Sequence, residues 1–305
     1  MKIAYIMSRF PLISETFILR EMIEVEQQGH QVSLYPLMCE EHPVVHAEAQ
    51  EWMARANCIP FFSFEILKEN IRSFFQHPPR YLKIWWHVFA GSLSSFNFLI
   101  KGLYLVPKAV YTAKRIQQDG ADHIHAHYAS HPGLEAWIIH QLTGISYSIT
   151  VHSHDIYDQR SLLAQKLKDA AFIAPISRYN IEFMANLVGD WVRAKCHVVH
   201  CGVDPARYLP QNDRPVRSPD DPFEVIQVGS LHWKKGQLYL IRAIALLRDQ
   251  GTNLRVRIIG EGAERASIEN EIKNYDLQNI IELLGAKTQA EVVAMLPTAD
   301  CYVQS

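Results

Sequence analysis

The sequence predicts an α/β protein built from two Rossmann-like domains facing each other across a cleft, the second of them incomplete. Three observations carry this. Short, largely apolar runs such as residues 225–228 and 147–151 read as strands of a parallel sheet. Amphipathic stretches of helical period alternate with those runs, which is the pattern of βαβ units. Between two such series lie Pro205, Pro210, Pro215, Pro219 and Pro222 among several Asp and Arg, a linker by composition. A chain of 305 residues also exceeds one ordinary core. We therefore divide it into residues 1–204, a linker at 205–222, and 223–305.

Taken in order, residues 2–7 (KIAYIM) read as the first buried strand. Ser14 can N-cap a helix with Ile18, Met22 and Val25 on its apolar side, and Gly29 stops it. Residues 32–37 form a second strand, and 40–60 a helix with a short strand. Residues 61–115, rich in Phe, Trp, Leu and Lys at helical spacing, form a set of helices. Strands follow at 123–127, 147–151, 172–176 and 197–200. Beyond the linker we place strands at 224–228, 254–259, 280–284 and 301–303. The helices between them lie at 237–249, from 263 to about 274, and at 289–296. The last strand lacks the crossover helix that would protect it, so the second domain reads as cut short at Ser305.

Composition limits the function. The chain is 48% hydrophobic and 20% charged with a net charge of −2, which suits a soluble globular protein and gives no basis for nucleic-acid binding. Five scattered cysteines without a CxxC pair fit a reducing cytoplasm, and the first residues do not form a signal peptide. Residues 85–107 are long enough to span a bilayer, but Ser94, Ser95 and Asn97 sit at their middle. They read as core-packed helices first and as a peripheral membrane contact second.

The candidate chemistry gathers at strand ends, where parallel sheets bind ligands. After residues 225–228, Gly229 and Ser230 lead to Lys234, Lys235 and Gly236 at a helix start. Free N–H groups, the helix dipole and a mobile ammonium together favour a phosphate there. Two lysines at a helix start otherwise oppose the dipole. Among the 15 histidines, His123, His125, His127 and His131 surround one strand end, and His152 and His154 the next. Packing is the default for His123 and His131. His152, His154 and Asp155 also admit a metal site and hence a hydrolase, although no further ligands stand at matching spacings.

These residues resemble the retaining glycosyltransferases of family 4, with GT-B fold and nucleotide-sugar donors. Within the family, the chain is most similar to the branch that builds colanic acid and other exopolysaccharides. The resemblance rests on residues 10–19 (FPLISETFIL), 29–32 (GHQV), 125–128 (HAHY) and 150–157 (TVHSHDIY). It continues through 201–204 (CGVD), 228–236 (VGSLHWKKG) and 259–262 (IGEG), in family order over nearly the whole chain. It implies that Ser14, Glu15, Thr16 and His127 line the cleft near the acceptor, and that His152 sits beside the transferred sugar with Asp155 shaping its loop. Gly229, Ser230, Lys235 and Gly236 would bind the donor diphosphate, and Gly260, Glu261 and Gly262 would line the nucleotide side.

The implied reaction needs neither metal nor cofactor. Its partners would be a nucleotide-diphosphate sugar and a glycan or polyprenyl-linked glycan, in the cytoplasm or at the inner face of the cell membrane. Two departures stand out. Ser230 occupies a position where the family usually has Arg, and the family's Glu-x7-Glu segment would follow Ser305. A catalytically incomplete binding fragment is therefore the alternative reading.

Overall fold

The computed structural model describes residues 1–12, 15–40, 47–203, 205–209, 218 and 220–305. Contacts divide the chain into two units, the first extending to Gly202 and the second running from Val203 to Ser305. Ser14 and most of the expected linker lie outside the described residues; the linker's described part includes a single 3-10 turn, Pro205–Arg207.

In the first unit, β1 (Lys2–Phe10), α1 (Thr16–Gln27) and β2 (Gln31–Cys39) form the opening βαβ unit. There follow α2 (Ala47–Arg55), α3 (Phe64–Gln76), α4 (Pro78–Ser92) and α5 (Phe96–Gln118). The sheet resumes with β3 (His123–His127), α6 (His131–Thr143) and β4 (Ser146–Val151). A short α7 (His154–Tyr157), α8 (Leu163–Asp169), β5 (Phe172–Pro175) and α9 (Arg178–Val188) complete it. All five strands are parallel, in the order β2-β1-β3-β4-β5.

The core lies where α6 crosses the sheet. Leu134, Ala136, Trp137, Ile138 and Ile139 are all buried, so this helix is apolar nearly all round. It separates the strands from α4 and α5, which pack on its far side. Residues 197–200, expected as a strand, do not become one. Their N–H groups bond only at His197 to Ile173 O and Val199 to Pro175 O, 2.9 and 3.0 Å, beside an isolated bridge. A segment on the free side of an edge strand has a ladder partner on one flank only.

The second unit contains β6 (Phe223–Val228), α10 (Gln237–Asp249), β7 (Leu254–Ile259), α11 (Arg265–Asn274) and β8 (Ile281–Gly285). It ends with α12 (Gln289–Met295) and β9 (Cys301–Tyr302). Its strands are parallel in the order β8-β7-β6-β9, over a core that includes Ile241, Ile244, Val256 and Ile268.

One expectation needs correction, and another holds in part. Cys39 and Cys58, read as free thiols, form a disulfide; Cys196, Cys201 and Cys301 are free. The sequence gap between Cys39 and Cys58 concealed a pair whose Cα atoms stand 5.9 Å apart. Residues 85–107 divide between α4 and α5, and no helix among the described residues is long and apolar enough to cross a membrane. Core packing explains only one face of each helix. Ile84 and Val88 are buried, while Trp86 and Phe89 are exposed.

Candidate functional site

In the first unit, the carboxyl ends of β3 and β4 and the start of α1 bring several functional side chains together. His123, His125 and His127 share one face of β3 because strand side chains alternate. Parallel pairing places them opposite Ser146, Ser148 and Thr150 of β4. His125 Nδ1 meets Ser148 Oγ at 2.7 Å and its Nε2 meets Thr150 Oγ1 at 2.9 Å. His123 bridges Ser146 and Ser148, both at 2.8 Å, so its default reading as a packed histidine holds.

Two residues further along β3, His127 Nε2 lies 3.3 Å from Glu21 Oε1, which also accepts the Tyr5 hydroxyl at 3.0 Å. Burial works to raise the Glu21 carboxyl. The His127 hydrogen bond and the His127 and His125 imidazoles outweigh it and hold the group down to about 2. Glu21, His125 and His127 are the one trio among the described residues whose donor atoms could converge on a metal ion. Glu21 Oε1, His127 Nε2 and both nitrogens of His125 are already engaged, with one another or with Tyr5, Ser148 and Thr150.

His152 follows β4 and packs against Phe17, Tyr128 and His127, with ring centroids 5.0, 4.6 and 5.8 Å away. Its backbone is held at both ends. The His152 N–H donates to Asp155 Oδ1 at 3.0 Å, and its carbonyl accepts from Asn180 Nδ2. Asp155 Oδ2 also accepts from the Ala129 N–H at 2.8 Å, so one buried carboxylate joins the loops after β3 and β4. Lys166, fully buried, donates to the Ala129 carbonyl from behind; burial lowers its ammonium to about 7, with Asp155 acting in the opposite sense. Burial, helped by the nearby His127, pushes the His152 imidazole down to about 3. His152 is therefore a neutral ring near pH 7, able to donate or accept a hydrogen bond but carrying no charge.

Tyr128, in the left-handed region at φ 76°, donates its hydroxyl to Glu15 Oε1 at 2.9 Å. Burial raises the Glu15 carboxyl, while Tyr128 and His127 pull it back. Three polar atoms around this spot are buried without a hydrogen-bond partner among the described residues: Glu15 Oε2, His127 Nδ1 and His152 Nε2. Each unmet group costs about 1–3 kcal/mol, so three together point to a polar ligand. Thr16 begins α1 beside them.

The proposed metal set does not assemble. His154 is exposed and pairs with Asp158 at 2.8 Å, while Asp155 turns inward to backbone N–H groups. Sequence reading missed Glu21, Tyr128 and Asn180. Tyr128 stood within a quoted motif, but a carboxylate on the polar side of α1 carries no local mark.

In the second unit, the loops after β6, β7 and β8 stack side by side. The Gly229 N–H bonds Ile259 O at 2.9 Å, Leu231 N–H bonds Glu261 O at 3.0 Å, and Gly260 N–H bonds Gly285 O at 2.9 Å. Gly260 sits at φ 144°, and a Cβ there would stand 2.0 Å from Gly229 O. A Cβ on Gly262 would stand 2.3 Å from Leu231 O. Glu261 is ion-paired to Arg265.

The helix start needs one correction. Lys234 and Lys235 belong to a 3-10 turn, Trp233–Lys235, and Gly236 at φ 69° separates it from α10. Lys235 is exposed, and its stem lies over Gly229, 3.8 Å from where a Cβ would project. Thus Gly229, Ser230, Lys235 and Gly236 occupy one corner with the uncapped first turn of α10. The β9 strand, beside β6, delivers Ser305 to the same corner. A pocket of roughly 310 Å³ borders Gly236 and is also lined by Trp233, Tyr239, Arg242 and Ile268.

Comparison with known proteins agrees with this architecture. The model of "Glycosyl transferases group 1" matches residues 210–305, and that of "Glycosyltransferase Family 4" matches residues 14–207. The chain is 27% identical to the putative colanic acid biosynthesis glycosyltransferase WcaL of Escherichia coli, over 99% of this chain and 75% of that one. It is 24% identical to the amylovoran biosynthesis glycosyltransferase AmsK of Erwinia amylovora, with the same coverage. Among solved structures it superposes on the lipopolysaccharide glycosyltransferase WaaG with a TM-score of 0.61, at 12% identity over 99% of this chain and 74% of that one. Anabaena Alr3699/HepE, solved with UDP and glucose, gives 0.60 at 14% identity over 99% and 73%. With two parallel Rossmann-like sets and a family model covering most of its first unit, the chain belongs to glycosyltransferase family 4 and is a glycosyltransferase of GT-B fold.

Proposed function

We propose that the enzyme moves a sugar from a nucleotide-diphosphate donor to a glycan or polyprenyl-linked glycan acceptor in the synthesis of an exopolysaccharide. The names of its relatives, colanic acid and amylovoran glycosyltransferases, support the pathway class. The observation that carries the site is the set of three buried polar atoms on Glu15, His127 and His152 that have no hydrogen-bond partner among the described residues. A sugar hydroxyl can donate and accept at once, and so can satisfy a neutral imidazole and a carboxylate together.

In this reading Lys235, the amides after Gly236 and the Ser230 hydroxyl take the donor diphosphate, and the Gly260, Glu261 and Gly262 turn takes the nucleotide side. Departure of the diphosphate leaves an oxocarbenium-like centre, so stabilising negative charge on the leaving group is the main catalytic task. Lys235 supplies the full charge and α10 the dipole. His152 places the transferred sugar, and Asp155 fixes the loop that carries it. A donor phosphate oxygen takes the acceptor's proton on the face the leaving group vacates, so the acceptor enters there with retention; the resemblance to family 4 also implies a reaction without metal or cofactor. The chain works in the cytoplasm, where nucleotide-diphosphate sugars are made, and meets its acceptor at the inner face of the membrane.

The test is release of nucleoside diphosphate from a panel of nucleotide-diphosphate sugars, in the presence of membranes carrying acceptor. At least one donor should be consumed, and His152→Ala should abolish this without changing the circular dichroism spectrum. Consumption of none, or undiminished turnover by the variant, overturns the reading.

A further inference from the structure

Helices α3, α4 and α5 follow one another and pack together. Each carries apolar residues at helical spacing on a face that the protein leaves uncovered. On α3 these are Leu67, Ile71 and Phe75; on α4, Leu82, Trp86 and Phe89, continued by Leu93 just after it; on α5, Phe96, Ile100 and Tyr104. They are well exposed: Phe75 is 74% accessible, Trp86 65% and Phe96 75%. Phe62, just before α3, stands edge-on to Tyr104 of α5 at 5.6 Å, and α4 packs against both helices. Single exposed apolar residues need no explanation, but three adjoining stripes do.

The charges beside the stripes identify the occupant. Lys68, Arg72, Lys83 and Lys101 each directly follow a stripe residue in sequence, so each flanks the apolar face about a quarter-turn away. All four are exposed, as is Arg80. Only two carboxylates lie on these helices: Glu65, which is exposed, and Glu69, which is buried and bound to Lys114 at 2.7 Å. The whole chain, by contrast, has 32 acidic and 30 basic residues, so the cations are concentrated here against the average. Aromatic and aliphatic side chains rimmed by cations with long stems match an anionic bilayer surface: the rings enter the acyl boundary while the cations reach the headgroups. A second copy docked face to face would set these cations against themselves.

We propose that the uncovered face of α3–α5 is a monotopic docking surface for anionic phospholipid. This deepens the membrane part of the proposed function by naming the surface and the lipid charge. Its test needs neither donor nor acceptor.

Vesicles of phosphatidylcholine alone, and of phosphatidylcholine with phosphatidylglycerol, are floated with the purified chain. The chain should float with the anionic vesicles, and salt should release most but not all of it. The variant Lys68→Glu/Lys83→Glu/Lys101→Glu should partition about 100-fold more weakly. The variant Leu67→Ser/Trp86→Ser/Phe96→Ser should lose the binding that survives salt. All six positions are exposed, and unchanged circular dichroism confirms folding of each variant. Failure of the parent chain to float with anionic vesicles at low salt overturns the proposal, as does equal flotation of the variants. So does light scattering that shows a dimer which the serine variant dissolves, because a second copy then covers the face. Donor consumption with a water-soluble acceptor is measured alongside. It separates loss of docking from failure of the transferase reading.

Discussion

The carboxylate of Asp155 accepts the backbone N–H of His152 at 3.0 Å while its other oxygen accepts that of Ala129 at 2.8 Å. Asp155 thus positions His152 without touching its ring. An amide at this place would turn a donor toward one of two N–H groups. Asp155→Asn should cost about 1–3 kcal/mol of stability, read by urea denaturation. Donor turnover should fall at least about tenfold as the His152 ring loses its fixed setting.

Lys235→Ala removes the full charge at the β6–α10 corner while leaving the Gly236 turn in place. Loss of about 2–4 kcal/mol of transition-state stabilisation is expected, visible as slower turnover at saturating donor. Turnover equal to that of the parent enzyme contradicts the assignment of Lys235 to the diphosphate.

Gly260→Ala tests the stacked loops. Its Cβ would meet the Gly229 carbonyl oxygen at 2.0 Å, and the backbone is at φ 144°. No flexible side-chain end is available to yield. A loss of roughly 3–5 kcal/mol is expected, measured as a lower thermal midpoint.

His131 gives a pH prediction. Its ring stacks on Phe98 at 4.2 Å, and burial, followed by Lys166 and Lys101, depresses its pKa to about 4. The unfolded chain takes up this proton near pH 6.5, before the folded chain does. Stability from this group is therefore present above about pH 6.5 and is lost as pH falls toward 4. Between about pH 7 and about pH 4.5, the parent chain should lose about 2–3 kcal/mol more than His131→Leu in urea melts. Parallel curves for the two proteins contradict it.

Much of the fold was legible in the sequence. The expected limits of β3, β7 and α10 are those observed, because each is an apolar or amphipathic run closed by polar or glycine punctuation. The positions of His152 and Asp155 followed from strand ends. The hydrogen-bonded pairing of His125 with Ser148 and Thr150 did not, because it depends on how β3 and β4 register, and no local pattern encodes that. The helical period on α3–α5 showed which residues share a side. It could not show that the side faces outward, since a stripe on a bound surface and one on a core have the same spacing.

The Cys39–Cys58 bond makes one covalent ring of everything between those residues. A protease cutting once inside that ring leaves both fragments joined. The nicked enzyme should migrate as a single species on a denaturing gel and separate into two only after a thiol is added.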